Sequence, residues 1–157
     1  MRPLTASALT LLLAASASLA PSRAAAQASA KPDFKWGPAP AVFPIGAQMA
    51  VIQGDPGGTA LFTVRLRFPD GYRIQAHTHP TDEHLTVVSG TFRVGMGDKF
   101  DATSMMTLSA GGFVTAPAGH AHYAASQGVT VVQVHAMGPF AMTYINPADT
   151  PKVAGGR

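Results

Sequence analysis

Three histidines and one glutamate carry most of the chemical potential of this chain: His77, His79, Glu83 and His122. His77 and His79 are two positions apart in the stretch GYRIQAHTHPTDEHLTVVSG, residues 71–90. On a β-strand such positions share a face, so both imidazoles project to one side. A turn at Pro80, Thr81 and Asp82 then brings Glu83 in at the head of the next strand. A second stretch, GGFVTAPAGHAH at residues 111–122, sets His122 just after a tight turn, where it is the natural fourth ligand. Neutral imidazole nitrogens and a carboxylate oxygen converging from separate strands suit a borderline divalent metal. These four groups do not complete an octahedral ion. Open positions would admit water, a bidentate substrate or dioxygen, and the ion could polarise a carbonyl or lower the pKa of its water.

Neighbouring groups separate from the ligands by parity. His84 points away from Glu83 and reads as a surface or interface residue. His120 is placed beside the turn, and Asp82 caps it. In VTVVQVHAM, residues 129–137, Gln133 and His135 alternate with Val132 and Val134. Either the polar pair looks inward over the metal or the valines do, and the pattern leaves both open. Gln75 shares parity with His77 and His79, as does Arg73 farther off, so Gln75, Gln133 and His135 are the candidate pocket residues. Tyr72, Tyr123, His135 and Glu83 are the available proton handlers. No particular residue is assigned a catalytic role. Met105, Met106, Met137 and Met142 read as apolar filling rather than a soft copper site.

The elements that must position these groups are short strands. Phe62, Val64, Leu66 and Phe68 alternate with Thr63, Arg65 and Arg67, the pattern of a half-buried strand. Further strands are expected at 48–53, 72–78, 83–88, 92–96, 112–116, 122–125, 129–136 and 140–145, with residues 97–106 as a loop. Gly, Pro and Asp turns separate them, among them GDPGG at 54–58 and SG at 89–90. No window holds a helical period over ten or more residues, so an antiparallel sandwich or barrel follows.

Residues 1–30 read as a secretory signal: Arg2, an apolar run over residues 6–20, then several A-x-A sites between residues 24 and 30. The run is shorter than the roughly 20 apolar residues that span a bilayer, which argues against a membrane anchor. Periplasmic or secreted location is therefore expected. Prolines at 32, 38, 40 and 44 make residues 31–44 an extended arm, the barrel occupies 45–145, and 146–157 form an irregular tail. The chain has no Cys, which excludes disulfides, thiolate ligands and a lipidated cysteine. Without Arg2 and Arg23, the 11 Lys and Arg become nine against eight Asp and Glu, and no basic stripe is left for nucleic acid. Charged residues make up 12% of the chain against a typical quarter, as if part of the surface were buried in an oligomer.

Both histidine-bearing stretches resemble the two signature motifs of the cupin superfamily. The first is matched by Gly71, His77, His79, Glu83 and Gly90. The second is matched by Gly111, Pro117, Gly119 and His122, with Ser126 standing where the motif ends in Asn. The resemblance covers about residues 42–145. It implies an all-β, antiparallel double-stranded β-helix, or jelly-roll barrel, holding one divalent metal, with Mn, Zn, Cu, Ni and Fe all open. It also implies frequent homodimers. Cupins include oxygenases, isomerases and lyases, and also proteins that only bind. The expectation is an exported metal-dependent enzyme on a small oxygen-containing substrate, with a non-catalytic metal or small-ligand binding module as the rival.

Overall fold

Phe62, Val64, Leu66 and Phe68 are buried in the core, while the intervening Arg65 and Arg67 are half-buried on the outer surface. That strand is one of nine in a computed structural model that describes residues 34–152. The expected signal at 1–30, the start of the arm at 31–33 and the tail's last residues, 153–157, lie outside the described residues. The strands are β1 (Gly37–Pro38), β2 (Gln48–Gln53), β3 (Leu61–Phe68), β4 (Arg73–Thr78), β5 (Glu83–Met96), β6 (Met106–Ser109), β7 (Phe113–Ala116), β8 (His122–Met137) and β9 (Thr143–Tyr144). A 3-10 turn at Pro147–Asp149 follows, capped by the Asn146 side chain.

All pairings are antiparallel, and two long strands organise them. The first part of β8 pairs with β4 and with the end of β5, and its second part pairs with β3 and with the start of β5. The sheet therefore curls into two halves that share β5 and β8. One half runs β1-β2-β3-β8-β5-β7, and the other β9-β4-β8-β5-β6. Their inner faces meet in a single apolar core that includes Phe62, Phe68, Phe92, Val132 and Val134. Burying each such side chain contributes about 1.5–3 kcal/mol. This is the double-stranded β-helix expected from the motifs.

The long strands correct the expected segmentation. Residues 83–88 and 92–96 are one strand, as are 122–125 and 129–136. The SG pair at 89–90 does not end β5 but bends it, with register shifts on either side of Ser89. Gly90 has φ 81°, and a Cβ there would lie 2.5 Å from the Val129 carbonyl oxygen, so only glycine lets the two strands approach. Strand β6 had no counterpart in the sequence reading. Among its residues only Leu108 is buried, so it lacks alternation and exists because it pairs with residues 91–94 of β5. The strand expected at 140–145 contracts to Thr143–Tyr144, because residues 140–142 cross the end of the barrel as a strap before pairing with β4.

Residues 34–44 dock on the barrel, with β1 paired to β2 and a turn at residues 41–43 closed by the Phe43 N–H on the Pro40 carbonyl. Phe34 receives the Arg65 guanidinium at 4.4 Å and Trp36 that of Arg67 at 4.1 Å, while Phe43 inserts into the core and stacks on Phe140. Tyr72 and Tyr144 donate their hydroxyls to the carbonyls of Pro44 and Val42. Burial pushes both phenols up, Tyr144 to about 12, so they stay protonated donors.

Candidate metal centre

The register of the second half brings the histidines together. His77 on β4 lies directly across from His122 on β8, with ring centroids 4.3 Å apart. His79, just past the end of β4, has its ring 5.0 Å from His77 and 5.2 Å from His122. One nitrogen from each ring falls within 4.8 Å of the other two. Glu83 opens β5, and its Oε2 lies 3.7 Å from the Nε2 of both His79 and His122. The carboxylate thus joins from one side, nearer to these two rings than to His77. All four side chains are buried.

Backbone carbonyls decide which nitrogen faces the centre. His77 Nδ1 donates to Gln75 O at 2.7 Å, His79 Nδ1 to Ala141 O at 2.7 Å, and His122 Nδ1 to His120 O at 3.2 Å. A carbonyl can only accept, so each Nδ1 carries the hydrogen, and in the neutral imidazole the Nε2 lone pair is left free. Burial, reinforced by His122 nearby, drives the His77 pKa down to about 3, so that ring is neutral. For Glu83, burial raises the pKa, but the His122 and His79 rings outweigh it and hold the carboxyl below its usual range. The His79 Nε2 is buried with no hydrogen-bond partner. A buried nitrogen lone pair without a donor is costly unless something electropositive meets it. The three imidazoles fit a divalent ion and would hold it through their Nε2 atoms, with the Glu83 carboxylate beside them.

The centre opens onto an apolar cavity lined by residues such as Phe68, Ile74, Leu85, Phe92, Ala124 and Met142. Its room is about 20 Å³, enough for an ion or one water and too little for an organic molecule. Residues 140–142 pack beside this centre. Phe140 packs against His79 with centroids 5.5 Å apart, and Ala141 supplies the carbonyl that orients it.

Other expected site residues are placed elsewhere. Val132 and Val134 take the inner face, so Gln133 and His135 lie on the outer face. There Gln133 accepts from Arg65 Nε at 2.9 Å, and His135 Nδ1 meets Thr63 Oγ1 at 2.9 Å. The Gln75 side chain is absent from the cavity lining too. A register shift between Ile74 and His77 breaks the parity, so Ile74 and His77 both face in. Gln75 serves the site through its carbonyl instead. Neither Tyr72 nor Tyr123 lines the cavity, which leaves Glu83 as its one proton handler besides the imidazoles. Met142 lines it, whereas Met106 and Met137 are exposed, so the methionines do not gather into a copper site.

His84 is half-buried outside, stacked on Phe113 and 3.0 Å from Thr115 Oγ1. His120 is exposed beside the turn. Asp82 accepts the Ala118 N–H at 2.8 Å and so ties the two motif turns together. Ser126, at the departure from the motif, is buried. It accepts the Tyr72 N–H and donates to the Pro69 carbonyl, fastening β8 to the turn before β4. Sequence reasoning missed Ala141 and Phe140, which carry no polar side chain to signal a role.

A curled double-stranded β-helix with a histidine-rich centre at one end defines a class of metal-site barrels. Residues 64–137 match the model of the cupin domain, and this stretch of the chain belongs to the cupin superfamily. Among solved structures it is similar to the polyketide cyclase RemF from Streptomyces resistomycificus, with 13% identity, TM-score 0.65, and coverage of 81% of this chain and 90% of that one. It is also similar to a protein from Methylibium petroleiphilum PM1 provisionally assigned as an acetylacetone dioxygenase, with 19% identity, TM-score 0.60, and coverage of 84% and 89%. A third is an RmlC-like cupin from Shewanella frigidimarina NCIMB 400, with 19% identity, TM-score 0.52, and coverage of 67% and 84%. No curated protein matches the chain. At these identities the likeness establishes the fold.

Proposed function

We propose that this cupin is an exported, metal-dependent enzyme that acts on a small oxygen-bearing substrate by oxygenase, isomerase or lyase chemistry. One observation carries the reading: three buried imidazoles, each with Nδ1 held by a backbone carbonyl, present their Nε2 atoms to one point beside Glu83, and His79 Nε2 has no hydrogen-bond partner there. A divalent ion at that point supplies Lewis-acid polarisation of a carbonyl or enolate oxygen, and a redox-active ion adds electron transfer to dioxygen. The residues around it do the rest. Glu83, held ionised, can take a proton from an acidic carbon or hydroxyl. Phe68, Leu85, Phe92 and Val94 exclude water and offer no cation, so they suit an uncharged, largely apolar substrate. Entry of a substrate requires the lining to open, since the cavity holds no more than an ion or a water.

The test joins elemental analysis of the purified protein to oxygen uptake and product analysis on a panel of diketones, enols and phenols. The likeness to the provisionally assigned acetylacetone dioxygenase puts 1,3-diketones first on that panel. One metal per chain with turnover of a panel member is expected. Metal-loaded protein that leaves every member unchanged would defeat the enzyme reading. The second reading is a non-catalytic binding module, and the small cavity with its single carboxylate favours it. Saturable metal binding without turnover would establish it.

Export and dimerisation belong to the same proposal. Export rests on residues 1–30, and mass analysis of periplasmic protein cut after Ala26, Ala28 or Ala30 would support it. The homodimer is supported by exposed apolar side chains on β5, β7 and β8, namely Val88, Phe113 and Val129. A monomeric sedimentation mass would overturn it.

A further inference from the structure

The three strands that present Ile74, Ala124 and Val94 to the metal cavity carry a different row on their other side. Arg73 of β4 and Arg93 of β5 both pair in register with Ala125 of β8. Adjacent strands lie about 4.8 Å apart, so the two arginines stand about 10 Å apart across a single methyl group. Residues 97–104 arch over this row. Phe100 packs on Tyr123 with centroids 5.2 Å apart, and its ring takes the Arg73 guanidinium at 5.3 Å. Arg93 Nη2 donates to the Ala102 carbonyl at 2.6 Å. Asp101 accepts from Thr103 and Ser104 within the loop and holds its shape.

Between loop and sheet lies a cleft of about 250 Å³, bordered by Arg73, Arg93, Phe100, Ala125 and Gln127. Among the described residues neither arginine is paired with a carboxylate, and the Arg73 side chain makes no hydrogen bond. Asp70 also borders the cleft, and one of its oxygens accepts the Gly128 N–H at 2.6 Å. Two guanidiniums therefore keep most of their N–H groups free around one recess with an aromatic wall. Guanidinium forks match the geometry of a carboxylate, and an aromatic face takes a flat apolar body. The volume is below the roughly 300–1,000 Å³ of pockets for drug-sized ligands, so it suits a single ring.

We propose that this cleft, on the outer side of the sheet from the metal centre, binds a small planar carboxylate, with the oxyanion between Arg73 and Arg93 and the ring against Phe100. The site is independent of whether the metal centre is catalytic. Benzoate titrated into the 15N-labelled full chain should produce saturable amide shifts in residues 97–104 and 125–127. Affinity should fall by about tenfold or more in Arg73→Gln and in Arg93→Gln. Arg73→Lys keeps the charge but loses the fork, and it should weaken binding by less. Arg65→Gln, on the other half of the barrel, should leave the titration unchanged, and a thermal melt of each variant checks folding. Inorganic phosphate, which lacks a ring, should bind more weakly than benzoate. The proposal is overturned by an absence of saturable shifts at these amides, by shifts that persist in both glutamine variants, or by phosphate binding as tightly as benzoate. The arginines would then serve only to anchor the loop.

Discussion

His79 is the residue on which the site turns. Its Nδ1 is committed to Ala141 O, its Nε2 is buried without a hydrogen-bond partner, and its ring lies under Phe140. His79→Ala should therefore lower divalent-metal affinity by about tenfold or more, as read by competition with a chromophoric chelator. His84→Ala and His120→Ala should leave it unchanged, since both side chains lie outside the cluster and His120 contributes only its carbonyl. His77 sets a pH limit on the metal-free protein. Its pKa falls from the ordinary 6.5 to about 3 on folding, because burial disfavours the charged ring. The unfolded chain takes up the proton first, so this contribution is complete above 6.5 and is lost as the pH falls toward 3. Glu83, also depressed, acts in the same direction at the acid end. The melting temperature of chelator-treated protein should fall steadily across that window, and a flat profile would contradict the neutral-imidazole assignment.

Strands β5 and β8 show how single residues govern an element. Gly95 pairs with Tyr123, whose ring lies over it, and a Cβ at Gly95 would come within 2.3 Å of ring carbons. Tyr123 is buried beneath Phe100 and has no free side to move toward. Gly95→Ala should cost about 1–3 kcal/mol in urea unfolding, the usual range for overpacking. Ser126→Ala should cost a similar amount for another reason. It removes the hydroxyl that joins the buried Tyr72 N–H to the Pro69 carbonyl and leaves them only their own 3.4 Å hydrogen bond; two lost hydrogen bonds at about 0.5–1.5 kcal/mol each come to about 1–3 kcal/mol. The seryl hydroxyl thus ties down the turn next to β4 at the one position where the second motif departs from the family pattern.

At the scale of the whole molecule, the metal centre joins β4, β5, β8 and the strap, segments spread from residue 77 to residue 141. An ion bound there but not to the unfolded chain stabilises the fold by mass action. Metal at about 100 times its dissociation constant should add about 2.7 kcal/mol and raise the melting temperature, with a chelator reversing the gain. A melt insensitive to metal would mean that the four groups do not act as one site.

The cluster of His77, His79, Glu83 and His122 was legible because its spacing is local. Two histidines two apart, a turn to Glu83 and a turn before His122 need only strand geometry to be read, and the turns and alternation of residues 61–68 carried the all-β fold with them. What surrounds the metal was not legible. Parity placed Gln75 beside His77, but a register shift inside β4 turned Ile74 inward instead. The pattern at residues 130–135 was equally compatible with either face, and the core took the valines because burying Val132 and Val134 is favourable whereas burying Gln133 and His135 leaves polar groups to satisfy. Ala141 enters only through its carbonyl, which every residue has, so no side-chain type could mark it. The sequence by itself determined which groups can hold an ion. Tertiary structure decided which nitrogen of each faces it, how little room lies beside it, and which residues stand outside, because those depend on register and on backbone atoms brought together from distant parts of the chain.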